Sequence, residues 1–356
     1  MMKGSIGIVG AGILGRLLAY LLKDRDYNVT LFDQGNANGD HNCSYASAGM
    51  LAPYCEKESS HPLIFKLGLE SLELWKQIVT DLKRPSLFEQ SGSLVVAHEA
   101  DSNELERLKR NFKSPESNEV EFLNASSIAD LEPSLKGRFS KGLFFPKEAY
   151  LNNRQLLLNL AENLLAHGVR CLFETEVVQI EGHQMMTKNQ TFQFDWIVDC
   201  RGLKAKKDLK GLHGVRGELF VVETRDIKLH RPIRVMHPRY PLYIVPRPDS
   251  KYLIGATSIE SEDLSPISVR STLELLSAAY ALHPAFSEAR ILESVVHLRP
   301  TFPDHLPHIV VGNNLLRVNG LYRHGFLISP LLAKIVAQFI EEGKIEATWK
   351  PLFKDN

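Results

Sequence analysis

The sequence predicts an α/β protein that opens with a Rossmann-like βαβ unit and continues into a second domain of the α+β class. Two observations at the N-terminus carry this prediction. An apolar strand at residues 6–9 is followed by a glycine-rich turn and then by an apolar helix at 16–22. A second apolar strand at 29–32 ends in the acid Asp33. The turn has the pattern G-x-G-x-x-G, and its glycines are Gly10, Gly12 and Gly15.

The glycine-rich turn has the features of a dinucleotide-binding site. Gly10 allows the tight turn after the strand, Gly12 lets the backbone approach a pyrophosphate, and Gly15 lets the helix pack closely on the strand. The N-terminus of the helix offers free N–H groups and a positive dipole end to the phosphates. We therefore expect Ile13 and Leu14, at the start of the helix, to contact the cofactor.

The acid at the tip of the second strand indicates which dinucleotide is bound. Asp33 can accept hydrogen bonds from a ribose hydroxyl, and Gln34 follows it on the same side of the expected site. A carboxylate at this position disfavours the 2′-phosphate of NADP. The sequence therefore favours FAD or NAD.

The composition excludes several classes of function. The 356 residues include 42 basic and 42 acidic side chains, so charge gives no case for binding nucleic acid or an anionic membrane. No apolar run is long enough to cross a bilayer, and the apolar N-terminus is the first strand, not a signal peptide. The four cysteines form no C-x-x-C pair, so we expect free thiols in a reducing cytoplasm. We predict no metal site, since no carboxylate or thiol pattern accompanies the neighbouring histidines.

Apolar periodicity predicts the remaining helices and strands. The predicted helices lie at 62–83, 101–112, 151–167, 267–282 and 331–342. The predicted strands lie at 91–97, 169–173, 196–200, 215–223, 233–236, 241–246, 251–256 and 315–320. Proline and glycine turns separate the strands between 215 and 256, which indicates an antiparallel sheet.

The first strand and the last strand–helix unit stand at opposite ends of the chain, although both are typical of a nucleotide-binding domain. We therefore predict two interleaved domains. The Rossmann-like domain, which binds FAD or NAD(P), takes residues 1–85, 145–215 and 295–356. An antiparallel-sheet substrate domain takes residues 86–144 and 216–294.

Four further segments carry residues suited to a cofactor or substrate site. Residues 43–53 are rich in small side chains, which let a backbone run along a cofactor, and Ser44 and Ser47 can hydrogen-bond phosphate. The other segments are Y-I-V-P-R at 243–247 with G-A-T at 255–257, L-R-P at 298–300, and a turn at 319–330.

These motifs, in this order over nearly the full length, resemble the D-amino-acid oxidase superfamily of FAD-dependent amine oxidases. Within it, the chain is most similar to the glycine oxidases of thiamine biosynthesis. In that family an A-G-M-L segment runs beside the flavin, and Ala48, Gly49 and Met50 match it. A G-x-x-R-x-G-x-L-x-x-P turn wraps the isoalloxazine, and residues 320–330 match it. The flavin contacts implied by this turn are Tyr322, Arg323, His324, Gly325, Phe326 and Leu327.

The resemblance implies a set of catalytic residues. Arg299 would hold the substrate carboxylate through two parallel hydrogen bonds, beside the flavin, and Tyr243 would add a hydroxyl contact. Arg323 would add charge near the flavin or anchor the turn. Met50 would lie beside the flavin face.

Three more positions complete the implied cofactor site. Family members contact the adenine through a valine that corresponds to Val177. The strand end at Cys200 and Gly202 is expected near the cofactor. Some relatives attach their flavin to a cysteine near the C-terminus, whereas no cysteine follows Cys200 here, so non-covalent FAD is expected.

The resemblance implies oxidative deamination of glycine or another small amino acid. Hydride would pass from the α-carbon to flavin N5, and the imine would hydrolyse to an oxo acid and ammonia or enter thiazole formation for thiamine. Molecular oxygen would reoxidise the flavin and give hydrogen peroxide. The implied partners are the amino acid, oxygen and enzymes of thiazole synthesis, and a homo-oligomer is compatible with the sequence.

Two other functions stay open at this point. One is a D-amino-acid or N-methyl-amino-acid dehydrogenase that passes electrons to a quinone. The other is a flavoprotein that modifies a macromolecule, such as a tRNA base or a partner protein. Residues 301–307 depart from the glycine-containing turn of many glycine oxidases, and His324 replaces asparagine in an R-N-G pattern. Both departures change the expected size of the pocket, so amine oxidation is a firmer expectation than glycine itself.

Overall fold

The computed structural model describes residues 3–112, 119–237 and 242–355. Within these residues the helices are α1 (Ile13–Leu22), α2 (Pro53–Glu56), α3 (Pro62–Asp81), α4 (Ser102–Lys109), α5 (Ala125–Leu131), α6 (Asn153–Ala166), α7 (Val269–Leu282) and α8 (Gly325–Glu342). The strands are β1 (Gly4–Val9), β2 (Tyr27–Phe32), β3 (Met50–Leu51), β4 (Phe88–Glu89), β5 (Ser93–Ala97), β6 (Glu121–Asn124), β7 (Lys141–Phe145), β8 (Ala149–Leu151), β9 (Arg170–Leu172), β10 (Val177–Glu181), β11 (Gln184–Thr187), β12 (Thr191–Gln193), β13 (Trp196–Asp199), β14 (His213–Glu223), β15 (Ile233–Met236), β16 (Leu242–Arg247), β17 (Lys251–Gly255), β18 (Arg290–Thr301), β19 (His308–Gly312), β20 (Leu315–Asn319) and β21 (Phe353–Lys354).

A mainly parallel sheet joins both ends of the chain. Its order is β21-β19-β20-β13-β1-β2-β9, and β1 lies between β2 and β13, parallel to both. Helices α1, α3, α6 and α8 contribute to a single apolar core with the sheet. The sheet formed by β10, β11 and β12 covers the other face, where Val9 and Phe32 pack with Met185. This three-layer α/β arrangement confirms the predicted fold class.

A second, mixed sheet has the order β18-β14-β17-β16-β15-β5-β7-β6. Its neighbours are antiparallel, as predicted, except that β5 and β15 run parallel. No tight turn joins β5 to β15, which are far apart in sequence, so the chain connection does not require them to be antiparallel. Sequence patterning reports which face a strand buries, but it does not report the direction of its neighbour.

The predicted domain bounds stay a prediction. The parallel sheet takes its strands from the predicted cofactor segments, whereas β7, β14 and β18 of the mixed sheet run through the bounds at 144, 215 and 294. Pro241, at the predicted start of the strand at 241–246, lies outside the described residues. No helix among the described residues is long and apolar enough to span a membrane.

The last helix begins earlier than predicted. Residues 321–330 were predicted to form a turn before a helix at 331–342, yet α8 begins at Gly325 and continues through Pro330. Proline lacks the N–H that would bond the carbonyl of Phe326, four residues before it. The indole Nε1 of Trp75, on α3, donates to that carbonyl instead, at 2.8 Å. A tertiary hydrogen bond thus replaces the missing helical one.

We expect Trp75→Phe to lower the free energy of unfolding by about 1–3 kcal/mol, because it leaves the buried carbonyl of Phe326 without its donor. Denaturant unfolding of the purified protein measures the change. The half-exposed Trp196 offers a control, since Trp196→Phe makes the same chemical change away from this carbonyl. An equal loss of stability in both variants would contradict the explanation for α8.

Candidate active site

A cavity of about 1490 Å³ lies where the two large sheets approach each other. Its volume exceeds the roughly 300–1,000 Å³ that suit one small ligand, so it can hold a dinucleotide together with a substrate. Its wall includes the ends of β1, β2 and β13, the segment at 41–52, parts of β14 and β18, and the start of α8. The structure thus brings together segments from opposite ends of the chain, from Val9 to Leu327.

The glycine-rich turn forms one end of the cavity. A Cβ atom on Gly15 would lie 1.9 Å from the carbonyl oxygen of Gly10, so the helix touches the turn directly. Gly10 has a φ of +101°, and a Cβ there would lie 2.5 Å from the carbonyl oxygen of Cys200. Gly12 instead faces the cavity, and the nearest atom to its hypothetical Cβ is Ser44 Oγ at 3.3 Å.

The hydroxyl of Ser44 takes up the first free N–H of α1. Ile13 N donates to Ser44 Oγ at 2.9 Å, while Leu14 and Gly15 follow in the cavity wall. The cap leaves the hydroxyl hydrogen of Ser44 available to a phosphate oxygen. The sequence had suggested phosphate contacts for Ser44 and for the helix N-terminus, and the structure places the two side by side.

Asp33 organises the backbone around the expected ribose position. Its Oδ2 accepts from Ala11 N at 2.5 Å, and its Oδ1 accepts from Gly35 N at 2.8 Å. Each carboxylate oxygen retains a further lone pair for a ribose hydroxyl. Asp33 and Gln34 both line the cavity, and this position is compatible with ribose binding by Asp33. The ribose role itself stays a prediction.

The small-residue segment is fixed by backbone contacts. Ser47 Oγ accepts from Gly49 N at 3.1 Å, and Gly49 O accepts from Leu151 N at 2.8 Å. Gly49 has a φ of +62°, and a Cβ there would lie 2.4 Å from Leu151 O. Ser47, Ala48 and Met50 line the cavity, whereas Gly49 is not in its wall and shapes the turn behind it.

The other predicted cofactor residues also lie in the wall. They are Val177, Cys200, Gly202, Arg299, Tyr322, Arg323, His324, Gly325, Phe326 and Leu327. Because α8 begins at Gly325 and not at 331, its N-terminus faces the cavity directly. A helix N-terminus favours negative charge close to it.

Arg299 and Tyr243 lie at the other end of the cavity, on the mixed sheet. The guanidinium of Arg299 lies over Gly217, where a Cβ would come within 2.4 Å of Cζ. Tyr243 is partly buried, and its removal from water raises the pKa of its hydroxyl although the charge of Arg299 opposes the shift. Tyr243 is therefore protonated at neutral pH and able to donate a hydrogen bond.

Arg323 both anchors the turn and adds charge to the cavity. Its Nη2 lies 2.6 Å from Glu56 Oε2 and 2.6 Å from Ser59 Oγ. Burial alone would raise the pKa of Glu56, but the guanidinium groups of Arg323 and Arg234 lower it to about 2. Glu56 is therefore a carboxylate that neutralises part of this positive cluster.

Four polar residues of the cavity wall were not among the predicted site residues. They are Glu56, Arg234, Glu218 and Thr257. Thr257 belongs to the G-A-T motif and carried a signal, whereas the other three stand in no motif. Arg234, on β15, lies opposite Tyr243, on β16, in the register of the sheet. Its guanidinium donates to the carbonyl of Cys55. Its place in the cavity depends on strand pairing that the sequence does not reveal.

His324 is buried at the start of α8, in the cavity wall. Burial, with the positive charges of Arg323 and Arg299, lowers its pKa to about 4 although Glu56 opposes the shift. The imidazole is therefore neutral at pH 7. A neutral ring avoids adding a further positive charge beside the two arginines.

The depressed pKa of His324 predicts a pH dependence of stability. The unfolded chain binds a proton near pH 6.5 and the folded one only near pH 4, so stability falls as the pH drops from 6.5 to 4. We expect His324→Asn to remove roughly 2 kcal/mol of the loss of stability between pH 7.5 and pH 5. Denaturant unfolding at pH 7.5 and pH 5 measures it, with the exposed His167→Asn as the control. The same fall in parent and His324→Asn would contradict a neutral buried imidazole.

Comparisons with known proteins identify the family. The model of the FAD-dependent oxidoreductase (DAO) family matches residues 5–339. The chain belongs to this family. It is 41% identical to the putative thiamine biosynthesis oxidoreductase ThiO of Rhizobium etli, over 95% of this chain and 97% of that protein. It is 28% identical to the bifunctional protein ThiO/ThiG of Synechocystis, over 95% of this chain and 52% of that protein.

A solved structure shows the same fold. The crystal structure of glycine oxidase from Geobacillus kaustophilus has a TM-score of 0.84 to this chain and 27% sequence identity. The match covers 99% of this chain and 98% of that one. The protein is thus an FAD-dependent oxidoreductase, and the family resemblance inferred from the motifs is confirmed.

The residues present fit FAD. The cavity holds the glycine turn with Gly12 open to it, the capped N-terminus of α1, and the N-terminus of α8. The first two suit a pyrophosphate, and the third suits the electron-rich edge of a flavin. FAD is the cofactor of this family. Among the described residues, no group of three His, Cys, Asp or Glu side chains is placed to hold a metal ion.

Proposed function

We propose that this protein oxidises glycine, or another small amino acid, to its imine, which hydrolyses to an oxo acid and ammonia. The proposal includes molecular oxygen as the electron acceptor, with hydrogen peroxide as the product of its reduction. The names of the relatives support the choice of amino acid, and the chemistry of the cavity supports amine oxidation.

The observation that carries the proposal is the state of Arg299. Arg323 and Arg216 each pair with a buried or half-buried carboxylate, whereas Arg299 forms no ion pair with any carboxylate that the structure describes. A guanidinium that lines the FAD cavity without a carboxylate partner is suited to bind one from the substrate. The hydroxyl of Tyr243, in the same cavity wall, can donate to the same carboxylate.

The described residues bind and orient the amino acid. Arg299 fixes the carboxylate, and this contact limits the directions in which the α-carbon can point. The apolar wall near Tyr243, formed by Ala48, Met50 and Leu219, leaves room for a small side chain and keeps water from the α-carbon. FAD supplies the acceptor for the hydride that leaves this carbon. Arg323 and the N-terminus of α8 add positive potential where negative charge develops.

We further propose a role in forming the thiazole of thiamine, in the cytoplasm, with an enzyme of thiazole synthesis as partner. The similarity to ThiO proteins, and to proteins in which ThiO and ThiG share one chain, supports this role. An imine hydrolyses readily in water. An enzyme that consumes it therefore benefits from being close to the cavity.

Anaerobic mixing of the purified holoprotein with glycine tests the proposal. We expect the oxidised-flavin absorbance to bleach, and we expect air to restore it with release of hydrogen peroxide. Sarcosine and D-alanine are the comparison substrates. Bleaching that only a quinone reverses would replace the oxidase by a dehydrogenase. No bleaching with any amino acid would contradict amine oxidation and would favour a macromolecular substrate.

A further inference from the structure

We propose that the buried pair of Arg216 and Glu218, acting through Thr257, is a positioning device that holds Arg299 in the geometry needed to bind the substrate carboxylate. The inference rests on the proposed role of Arg299 as that carboxylate's ligand. The inference adds three residues that act on the substrate carboxylate through Arg299 and so determine how tightly the substrate binds.

The link begins at Arg299 itself. Its Nη1 donates to the carbonyl oxygen of Thr257 at 2.9 Å. This carbonyl holds one edge of the guanidinium and leaves the other donors free. The direction in which Arg299 points therefore depends on where the backbone of Thr257 lies. Because bidentate binding needs a fixed guanidinium plane, a small displacement of this backbone weakens the contact.

Glu218 holds Thr257 in three ways. The Thr257 hydroxyl donates to Glu218 Oε2 at 2.9 Å and accepts from Glu218 N at 3.0 Å. The backbone N–H of Thr257 donates to Glu218 O at 3.2 Å. Gly217 and Glu218 are neighbours on β14, so they point to opposite faces of the sheet. Arg299 lies over Gly217 on one face, and the side chain of Glu218 lies on the other. Glu218, which also contributes to the cavity wall, therefore fixes Thr257 from the opposite face of the sheet.

Arg216 holds Glu218 and an outer part of the cavity wall at once. Its Nε and Nη2 donate to Glu218 Oε1 at 2.8 and 2.7 Å. Its Nη1 and Nη2 also donate to the carbonyl oxygens of Asp263 and Pro266, at 2.6 and 3.0 Å. These carbonyls flank Leu264, which lines the cavity and is 60% exposed. Arg216 therefore connects the rim of the cavity to the support of Arg299.

The pair is charged although it is buried. Glu218 is 1% and Arg216 is 4% exposed. Burial raises the pKa of Glu218, but hydrogen bonds from Ser271, Arg216 and Thr257 lower it below its ordinary value. Buried ion pairs contribute little net stability compared with apolar residues of similar volume. A role in fixing geometry accounts for the pair better than a role in stability.

The decisive comparison is Thr257→Val against Thr257→Ser. Valine keeps the shape of the side chain but loses both hydroxyl hydrogen bonds to Glu218, whereas serine keeps the hydroxyl. Acetate serves as a carboxylate that does not react, and its dissociation constant is read from the perturbation of the flavin spectrum. We expect valine to raise this constant about tenfold, and serine to change it by less than about threefold. Both variants should keep the parent's flavin content.

Two further variants extend the test. Glu218→Gln should also raise the acetate constant, because it weakens the charged acceptor, and it replaces Thr257→Val if that variant does not fold. Glu293→Gln is the control, since Glu293 lies on β18 with Arg299 but pairs with the distant Arg154 at 2.7 Å. It should leave the acetate constant unchanged. With glycine as substrate, KM should rise in Thr257→Val while kcat changes less.

The outcomes separate this inference from the proposed function. An unchanged acetate constant in Thr257→Val, or equal weakening in the valine and serine variants, would overturn the positioning role. A purely structural role would lower the melting temperature without changing the constant, and would also overturn it. If the parent binds acetate but does not oxidise glycine, the proposed function fails. The acetate constants of the Thr257 variants then still test the positioning role. If acetate does not bind the parent, Arg299 is not a carboxylate ligand and the inference falls.

Discussion

Replacing Arg299 by alanine is expected to lower kcat/KM for glycine by roughly 30- to 4000-fold, while the protein keeps its FAD. The range corresponds to the about 2–5 kcal/mol lost when one partner of a desolvated, hydrogen-bonded charge pair is removed. Arg299 forms no ion pair with a described carboxylate, so its charge is available to the substrate. Steady-state kinetics, with the flavin content of each preparation, measures the effect.

Two variants make the result for Arg299 specific. Arg299→Lys keeps the charge but loses the planar pair of donors, so its activity should lie between those of the parent and Arg299→Ala. Arg290, at the exposed start of the same strand, is the matched control, and Arg290→Ala should retain full activity. Parent-like activity in Arg299→Ala would show that another group binds the carboxylate.

The second large effect is expected at the glycine-rich turn. Gly12→Val should weaken FAD binding by roughly 5- to 150-fold, since overpacking of a close contact costs about 1–3 kcal/mol. The φ of Gly12 is −68°, which other residues adopt, and its hypothetical Cβ meets only Ser44 Oγ, at 3.3 Å. The side chain therefore fills the space of the pyrophosphate without breaking the turn. Flavin retained after gel filtration measures the loss.

The stability of the FAD-free protein distinguishes loss of the cofactor from loss of the fold. FAD-free Gly12→Val should unfold close to the FAD-free parent, because binding itself stabilises the folded state. Gly312→Ala is a control at the end of β19, where a Cβ would meet ordinary contacts of 3.4 Å or more. It should keep its flavin. A fully yellow Gly12→Val protein would refute the assignment of the turn to the pyrophosphate.

Much of the predicted dinucleotide-binding site could be predicted because its residues lie close together in the sequence. The strand, the glycine turn, α1 and Asp33 fall within 33 residues, and a short-range pattern of apolar residues and glycine defines them. Arg299 and Tyr243 were found through motifs of a known family. Both lie in the cavity wall, although their predicted roles await the experiments above.

Glu56, Arg234 and the pair of Arg216 and Glu218 were not predictable in the same way. Glu56 meets Arg323 across 267 positions of the sequence, and Arg234 reaches the cavity because β15 pairs with β16. Arg216 and Glu218 read as ordinary charged residues of a strand. Only the packing of the sheet buries them and gives them each other as partners. The early start of α8 likewise depends on Trp75, which lies 251 residues before Phe326.

The sequence by itself determined the fold class, the family and the nucleotide-binding unit, because hydrophobic periodicity and glycine positions act over a few residues. The tertiary structure decided which charges face each other in the cavity, which arginine of its wall has no ion pair with a described carboxylate, and where the last helix begins. Those properties depend on contacts between distant segments and on the removal of water from around them. The guanidinium groups of Arg323 and Arg234 keep Glu56 strongly acidic, and burial keeps His324 neutral. No local pattern of residues encodes either state.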